Sequence, residues 1–257
     1  MRKPRVAVYK FTSCDGCQLS ILDCEEELLQ LADITEIAFF AEASSEYHPG
    51  PYDIAFVEGS VSTPEEVERT REIRASTGSF IAFGACATAG GIQALRNFAD
   101  VDQMKSAVYP RPELLAVLPT SVPHSAHVQV DFEIQGCPPN RLQILDVVTQ
   151  LLLGRIPRLP TYSVCLECKR RGNVCVLVAR GLPCMGPVTQ DGCGALCPGY
   201  DRACYACFGP MDDPKPERFS QELELRGFPD EEIVRRFREI TGGKEPFIRG
   251  AERCKSR

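Results

Sequence analysis

Arg5-Val-Ala-Val-Tyr-Lys-Phe-Thr-Ser-Cys-Asp-Gly-Cys-Gln-Leu-Ser-Ile-Leu-Asp-Cys-Glu-Glu-Glu-Leu-Leu-Gln-Leu31 changes periodicity part-way along its length. Residues 5–11 form a short apolar run, the pattern of a strand buried on both faces. Residues 18–31 place Leu19, Leu22, Leu28 and Leu29 at helical spacing, which predicts one helix. Between them lies Thr12-Ser13-Cys14-Asp15-Gly16-Cys17, a tight joint carrying two thiols. Strand, joint and helix together make a βα unit, and the pattern repeats downstream. Further strands are expected over 36–41, 52–58 and 80–84, with Gly, Pro or Ser at the joints. Thr63-Pro64-Glu65-Glu66 is a capping box with Pro at the first helical position, opening a helix to about Ala75. An alternating segment over 128–134 leads through Gly136-Cys137-Pro138-Pro139 into a helix over 140–153. Residues 100–123 show no clear period. The expected class is α/β, a flavodoxin-like parallel-sheet domain over 1–156.

Beyond residue 156 the texture changes. Eight cysteines fall between Cys165 and Cys207 among many Gly and Pro, so 157–212 reads as a small irregular Cys-rich domain held by its ligands. Residues 213–257 read as a short helical tail, with Phe219 and Leu223 on one helix. Ile233, Val234, Phe237 and Ile240 mark a second, with Asp230 as its N-cap.

Composition bounds the function. The 257 residues carry 29 Lys and Arg against 35 Asp and Glu, a net charge of −6, and no long basic run. Nucleic acid is not expected as a partner. No apolar stretch reaches the roughly 18 to 20 residues that span a bilayer, so no membrane contact is expected. The N-terminus has no signal-peptide pattern, and the expected location is cytoplasmic. Fourteen cysteines in a reducing compartment point to metal ligation rather than disulfides.

The cysteines fall into constellations. Cys14 and Cys17 follow the first strand, Cys86 the fourth, and Cys137 the segment ending at Ile134. All lie at strand C-terminal ends, which in an open parallel sheet share one edge. Four thiolates are what a 4Fe–4S cube needs. A thioredoxin-like pair at Cys14 and Cys17 would leave Cys86 and Cys137 without a role. The second set is Cys165, Cys168, Cys175, Cys184, Cys193, Cys197, Cys204 and Cys207, enough for two more cubes. Spacing does not settle their pairing, and two structural zinc sites remain an alternative. Cys24 and Cys254 are expected as free thiols, and His48, His124 and His127 as hydrogen-bonding loop or edge residues.

Thr12-Ser-Cys-Asp-Gly-Cys17, Gly84-Ala-Cys86, Gly136-Cys137-Pro-Pro and Pro183-Cys-Met-Gly-Pro-Val-Thr-Gln-Asp-Gly-Cys193 together resemble the small subunit of nickel–iron hydrogenases across nearly the whole chain. Glu58-Gly-Ser-Val-Ser-Thr63 and Cys165-Leu-Glu-Cys168 are most similar to the delta subunits of soluble sulfhydrogenases. The resemblance implies three 4Fe–4S clusters. Cys14, Cys17, Cys86 and Cys137 would hold a proximal one, Cys165, Cys168, Cys175 and Cys184 a distal one, and Cys193, Cys197, Cys204 and Cys207 a medial one. It also implies two partners, a large subunit bearing the nickel–iron centre and flavin and iron–sulfur diaphorase subunits linked to NAD(P). A deazaflavin or a heterodisulfide reductase complex is the alternative acceptor, and a zinc-stabilised assembly module the alternative of another class. The related cluster subunit of NADH:quinone oxidoreductase differs in having adjacent cysteines in its first motif.

Overall fold

A computed structural model describes residues 2–255. Five parallel strands form one sheet: β1 (Arg5–Lys10), β2 (Glu36–Phe40), β3 (Tyr52–Glu58), β4 (Thr77–Phe83) and β5 (Phe132–Ile134). Their order is β2-β1-β3-β4-β5, and all pairings are parallel. The chain winds outward in both directions from β1 and β3, the switch point where open α/β sheets leave a crevice.

Alternation along each strand builds a core on both faces. Ile54, Phe56, Ile81, Phe83 and Ile134 face one way and pack with Ile21, Ile144 and Val147. These last three sit on α1 (Gly16–Leu22) and α6 (Arg141–Leu152). Ala55, Val57 and Phe80 face the other way, against Phe11 and Ile73. Ile73 belongs to α3 (Pro64–Ala75), whose Thr63 and Glu66 form the reciprocal capping box read from the sequence.

The helix expected over 18–31 is broken. α1 stops at Leu22, and α2 (Glu25–Ile34) starts anew, with Glu25 at φ 41°. Three consecutive acids open α2, where the helix dipole favours negative charge. The break exposes Leu19 and Leu29 and turns Cys24 inward, 1% exposed, as a core residue whose thiol donates to the Ser20 carbonyl. After β4 the chain forms α4 (Ala85–Ala89) and a 3-10 helix over Ile92–Phe98, and the segment 100–123 that showed no period opens with α5 (Val101–Val108).

The cysteine-rich stretch contains α7 (Val164–Arg170), α8 (Val176–Ala179) and α9 (Leu196–Gly199), followed in the tail by α10 (Pro216–Leu225), α11 (Asp230–Phe237) and α12 (Glu245–Lys255). Two tail helices were expected and three are present. One apolar cluster runs through both regions: Val164, Val176, Met185 and Val188 pack with Leu223, Ile233, Phe237 and Phe247. The tail thus completes a core that the cysteine-rich stretch begins. Asp230 is the first residue of α11 rather than its cap, a place taken by Pro229. Cys254 is buried on α12, beside the Ser220 hydroxyl at 3.2 Å, instead of standing in a polar tail. Among the described residues no helix is long and apolar enough to cross a membrane.

Candidate metal centres

Sheet register explains how distant cysteines meet. Lys10, Glu58, Phe83 and Ile134 lie in one row across β1, β3, β4 and β5. Cys14, Cys86 and Cys137 each follow this row by three or four residues, and Cys17 enters the first turn of α1. The β4 and β5 loops are stitched together, because the Gly84 amide donates to Ile134 and the Ala85 amide to Gly136. On the other side the Gln93 amide donates to the Thr12 carbonyl at 2.8 Å, while the Cys86 thiol meets Gln93 Oε1 at 3.4 Å.

The space around these sulfurs is kept clear by glycine. A Cβ at Gly84, where φ is +90°, would stand 2.2 Å from Cys17 Sγ, and one at Gly91 would stand 2.4 Å from Cys86 Sγ. Both positions need glycine for conformation and for clearance. Burial pushes the Cys86 thiol up to about 11, with the Cys137 and Cys14 charges adding to it. Cys17 is raised further by burial and then by Glu58, Cys86 and Cys137. Four thiols thus share one electrostatic neighbourhood at the sheet edge. Cys14 and Cys137 are its exposed members.

Glu58 is a residue that spacing did not single out for a role. Fully buried at the end of β3, it accepts from the Cys17 amide at 3.2 Å and the Gln18 side chain at 2.8 Å. Burial raises its pKa, which those two bonds partly offset. An acid ending a buried strand was the available signal. The histidines differ among themselves. His48 meets Glu36 at 3.1 Å. His124 is fully buried, bonded to Thr70 and to the Gly59 carbonyl. His127 Nε2 is buried without a partner among the described residues, contrary to expectation.

In the second region, Cys165 and Cys168 lie one turn apart on α7, and Cys175 caps α8. With Cys184 they line a cavity of about 100 Å³. A Cβ at Gly186 would stand 3.5 Å from both Cys165 and Cys184 sulfurs. Burial, then the charges of Cys184, Cys168 and Cys175, push Cys165 up to about 12. The remaining four sit around α9 in irregular backbone, with Ala195, Asp201 and Ala206 at positive φ. Such strain in non-glycine residues concentrates at functional sites. Burial raises Cys207 to about 12, and its neighbours are Cys193, Cys137 and Cys197. Cys184 and Cys207 both act on Cys204, which is raised by near-complete burial. The Cys204 amide donates to Cys184 Sγ at 3.2 Å. Cys207 is thus coupled to Cys137, and Cys204 lies against Cys184. Among the described residues, no three His, Cys, Asp or Glu side chains close around a single-ion position.

Residues 14–151 match the family described as NADH ubiquinone oxidoreductase, 20 Kd subunit. The chain is 37% identical over 238 residues to sulfhydrogenase 2 subunit delta of Pyrococcus furiosus, covering 91% of this chain and 98% of that one. This chain belongs to the nickel–iron hydrogenase small-subunit family. It is 32% identical to one subunit of an F420-non-reducing hydrogenase of Methanococcus voltae, over 82% of this chain and 84% of the relative. Among solved structures, a chain of an NAD+-reducing [NiFe]-hydrogenase superposes with a TM-score of 0.57 at 34% identity, covering 62% of this chain and 96% of that chain. The small subunit acts as an oxidoreductase component whose nickel–iron catalytic centre lies in another chain. The donor set fits iron–sulfur clusters, since unpaired cysteines gathered at the sheet edge and in the second region are the ligands such clusters take.

Proposed function

We propose that this subunit relays electrons between the nickel–iron site of a large subunit and an NAD(P)-linked flavin and iron–sulfur diaphorase, through three 4Fe–4S clusters. Cys14, Cys17, Cys86 and Cys137 hold the proximal cluster, Cys193, Cys197, Cys204 and Cys207 the medial one, and Cys165, Cys168, Cys175 and Cys184 the distal one. The observation that supports this reading is the pair of links between the sets, the Cys207 thiol coupled to Cys137 and the Cys204 amide donating to Cys184 Sγ at 3.2 Å, as an order of proximal, medial and distal requires. When bound, the clusters supply one-electron chemistry. The chain's own residues fix the ligand sulfurs, keep Cβ atoms out of their way at Gly84 and Gly91, and bury Cys17, Cys184 and Cys204 away from water. A cytoplasmic setting suits the reading, because reducing conditions keep thiols available as ligands.

All-cysteine ligation favours low potentials within the range of roughly −700 to +450 mV open to such clusters. Potentiometric titration of the holoenzyme followed by electron paramagnetic resonance tests this. Three low-potential four-iron signals are expected, and a high-potential three-iron signal would sink the reading.

The match to the Methanococcus voltae relative covers more of this chain than the NAD+-reducing structure does. It favours a second reading of the acceptor alone, in which the same relay serves a complex other than an NAD(P)-linked diaphorase and the deazaflavin alternative is disfavoured. Hydrogen-driven reduction of NAD+ or NADP+ by the purified complex separates the two.

A further inference from the structure

The surface around Cys175 differs in charge from the rest of the chain. Cys175 is the exposed member of its set. It stands between Val174 and Val178, which are 60% and 68% exposed. Lys169, Arg170, Arg171 and Arg180 flank them in sequence, and Arg202 follows Asp201, which pairs with Arg180; all five basic residues are exposed. The acids in this region are few. Glu167 is held by Arg170, Asp201 is held by Arg180 at 2.7 Å, and Asp191 is buried. Lys169 and Arg202 have no ion-pair partner among the described residues, and Arg171 donates to the Gly194 carbonyl. A positive rim around two exposed valines thus stands in a chain whose net charge is −6.

Two valines and an exposed thiol do not select a partner, but charge does. Complementary potential steers encounter and rejects like-charged surfaces, while a small apolar centre excludes water from the contact. We propose that this rim is the docking face for the electron-accepting protein subunit, and that the partner presents acidic residues around an apolar pocket receiving Val174 and Val178. The proposal rests on the assignment of Cys175 to the distal cluster, and it adds the exit ligand and the chemistry of the partner's surface. The exposed edge of the chain's last cluster then faces the acceptor across Cys175.

The test uses the assembled holoenzyme carrying Lys169→Glu and Arg202→Glu together, with Val178→Asp as a second variant and Lys169→Arg with Arg202→Lys as the conservative control. Native mass measurement reads which subunits stay bound as ionic strength rises, and NAD+ and benzyl viologen report electron delivery. Wild type and the conservative control are expected to keep the acceptor-side subunits at low salt. Each disruptive variant is expected to shed them, losing more than tenfold of hydrogen-driven NAD+ reduction while viologen reduction is unchanged. Retention of those subunits by both disruptive variants overturns the proposal. So does retention with a raised KM for NAD+, which would make the rim a nucleotide site. Failure of the underlying reading is seen separately, in wild type, as an iron content too low for three clusters. If wild type instead reduces no NAD(P)+, the acceptor is another complex and subunit retention still decides the docking face.

Discussion

The sheet region and the cysteine-rich region hold their cysteines by opposite means. In the first, a hydrophobic core on both sheet faces fixes the row Lys10, Glu58, Phe83 and Ile134, and the ligand loops hang from strand ends that are rigid without them. In the second, the loops bearing Cys193, Cys197, Cys204 and Cys207 include residues at positive φ, and the core beneath them is shared with three helices later in the chain. A metal site can thus be added to a finished fold, or it can share in building one.

Deleting 213–257 should separate the regions most sharply. The cysteine-rich stretch should then lose its fold and its iron, while the sheet keeps the iron of its own cluster. Limited proteolysis with iron analysis checks this, and full retention of iron would mean the ligands alone organise the second region. Phe237→Ala is the single-residue version. Its ring packs against Phe219 and Phe247 and is fully buried, so a cost of about 3–5 kcal/mol is expected. Thermal unfolding should show that loss in the second region first.

The pattern of what was legible follows the same division. The strand over 52–58 and the capping box at Thr63 could be read directly, because continuous apolar runs and local capping chemistry do not depend on distant residues. The sheet-edge cysteines could be grouped because topology alone brings strand ends together. The break after Leu22 could not, since Leu19, Leu22, Leu28 and Leu29 keep helical spacing across it. α12 was missed although Phe247, Ala251 and Cys254 form an apolar seam at i, i+4 and i+7, hidden among charged residues. The order of the second eight cysteines needed the resemblance, because irregular backbone has no period to read.

Acid should act on the sheet region through His124, whose pKa burial lowers to about 3. Its neutral form is the one the fold accepts, so its contribution is complete above the unfolded pKa near 6.5 and is lost as pH falls from there toward 3. Between pH 6.5 and 5 the expected loss is about 2 kcal/mol, and His124→Gln should flatten it in melts of the holoprotein. An unchanged slope would remove His124 from the account. Smallest of all, Thr63→Ala should cost about 1 kcal/mol by opening the α3 cap and leave iron content unchanged.

The most direct test of three clusters in line is anaerobic quantification of iron, acid-labile sulfide and zinc per chain in the purified complex, corrected for its other subunits. The account predicts about twelve irons with matching sulfide and no zinc in this subunit. About four irons accompanied by zinc would contradict it, leaving a single cluster at the sheet edge and a cysteine-rich region that is structural.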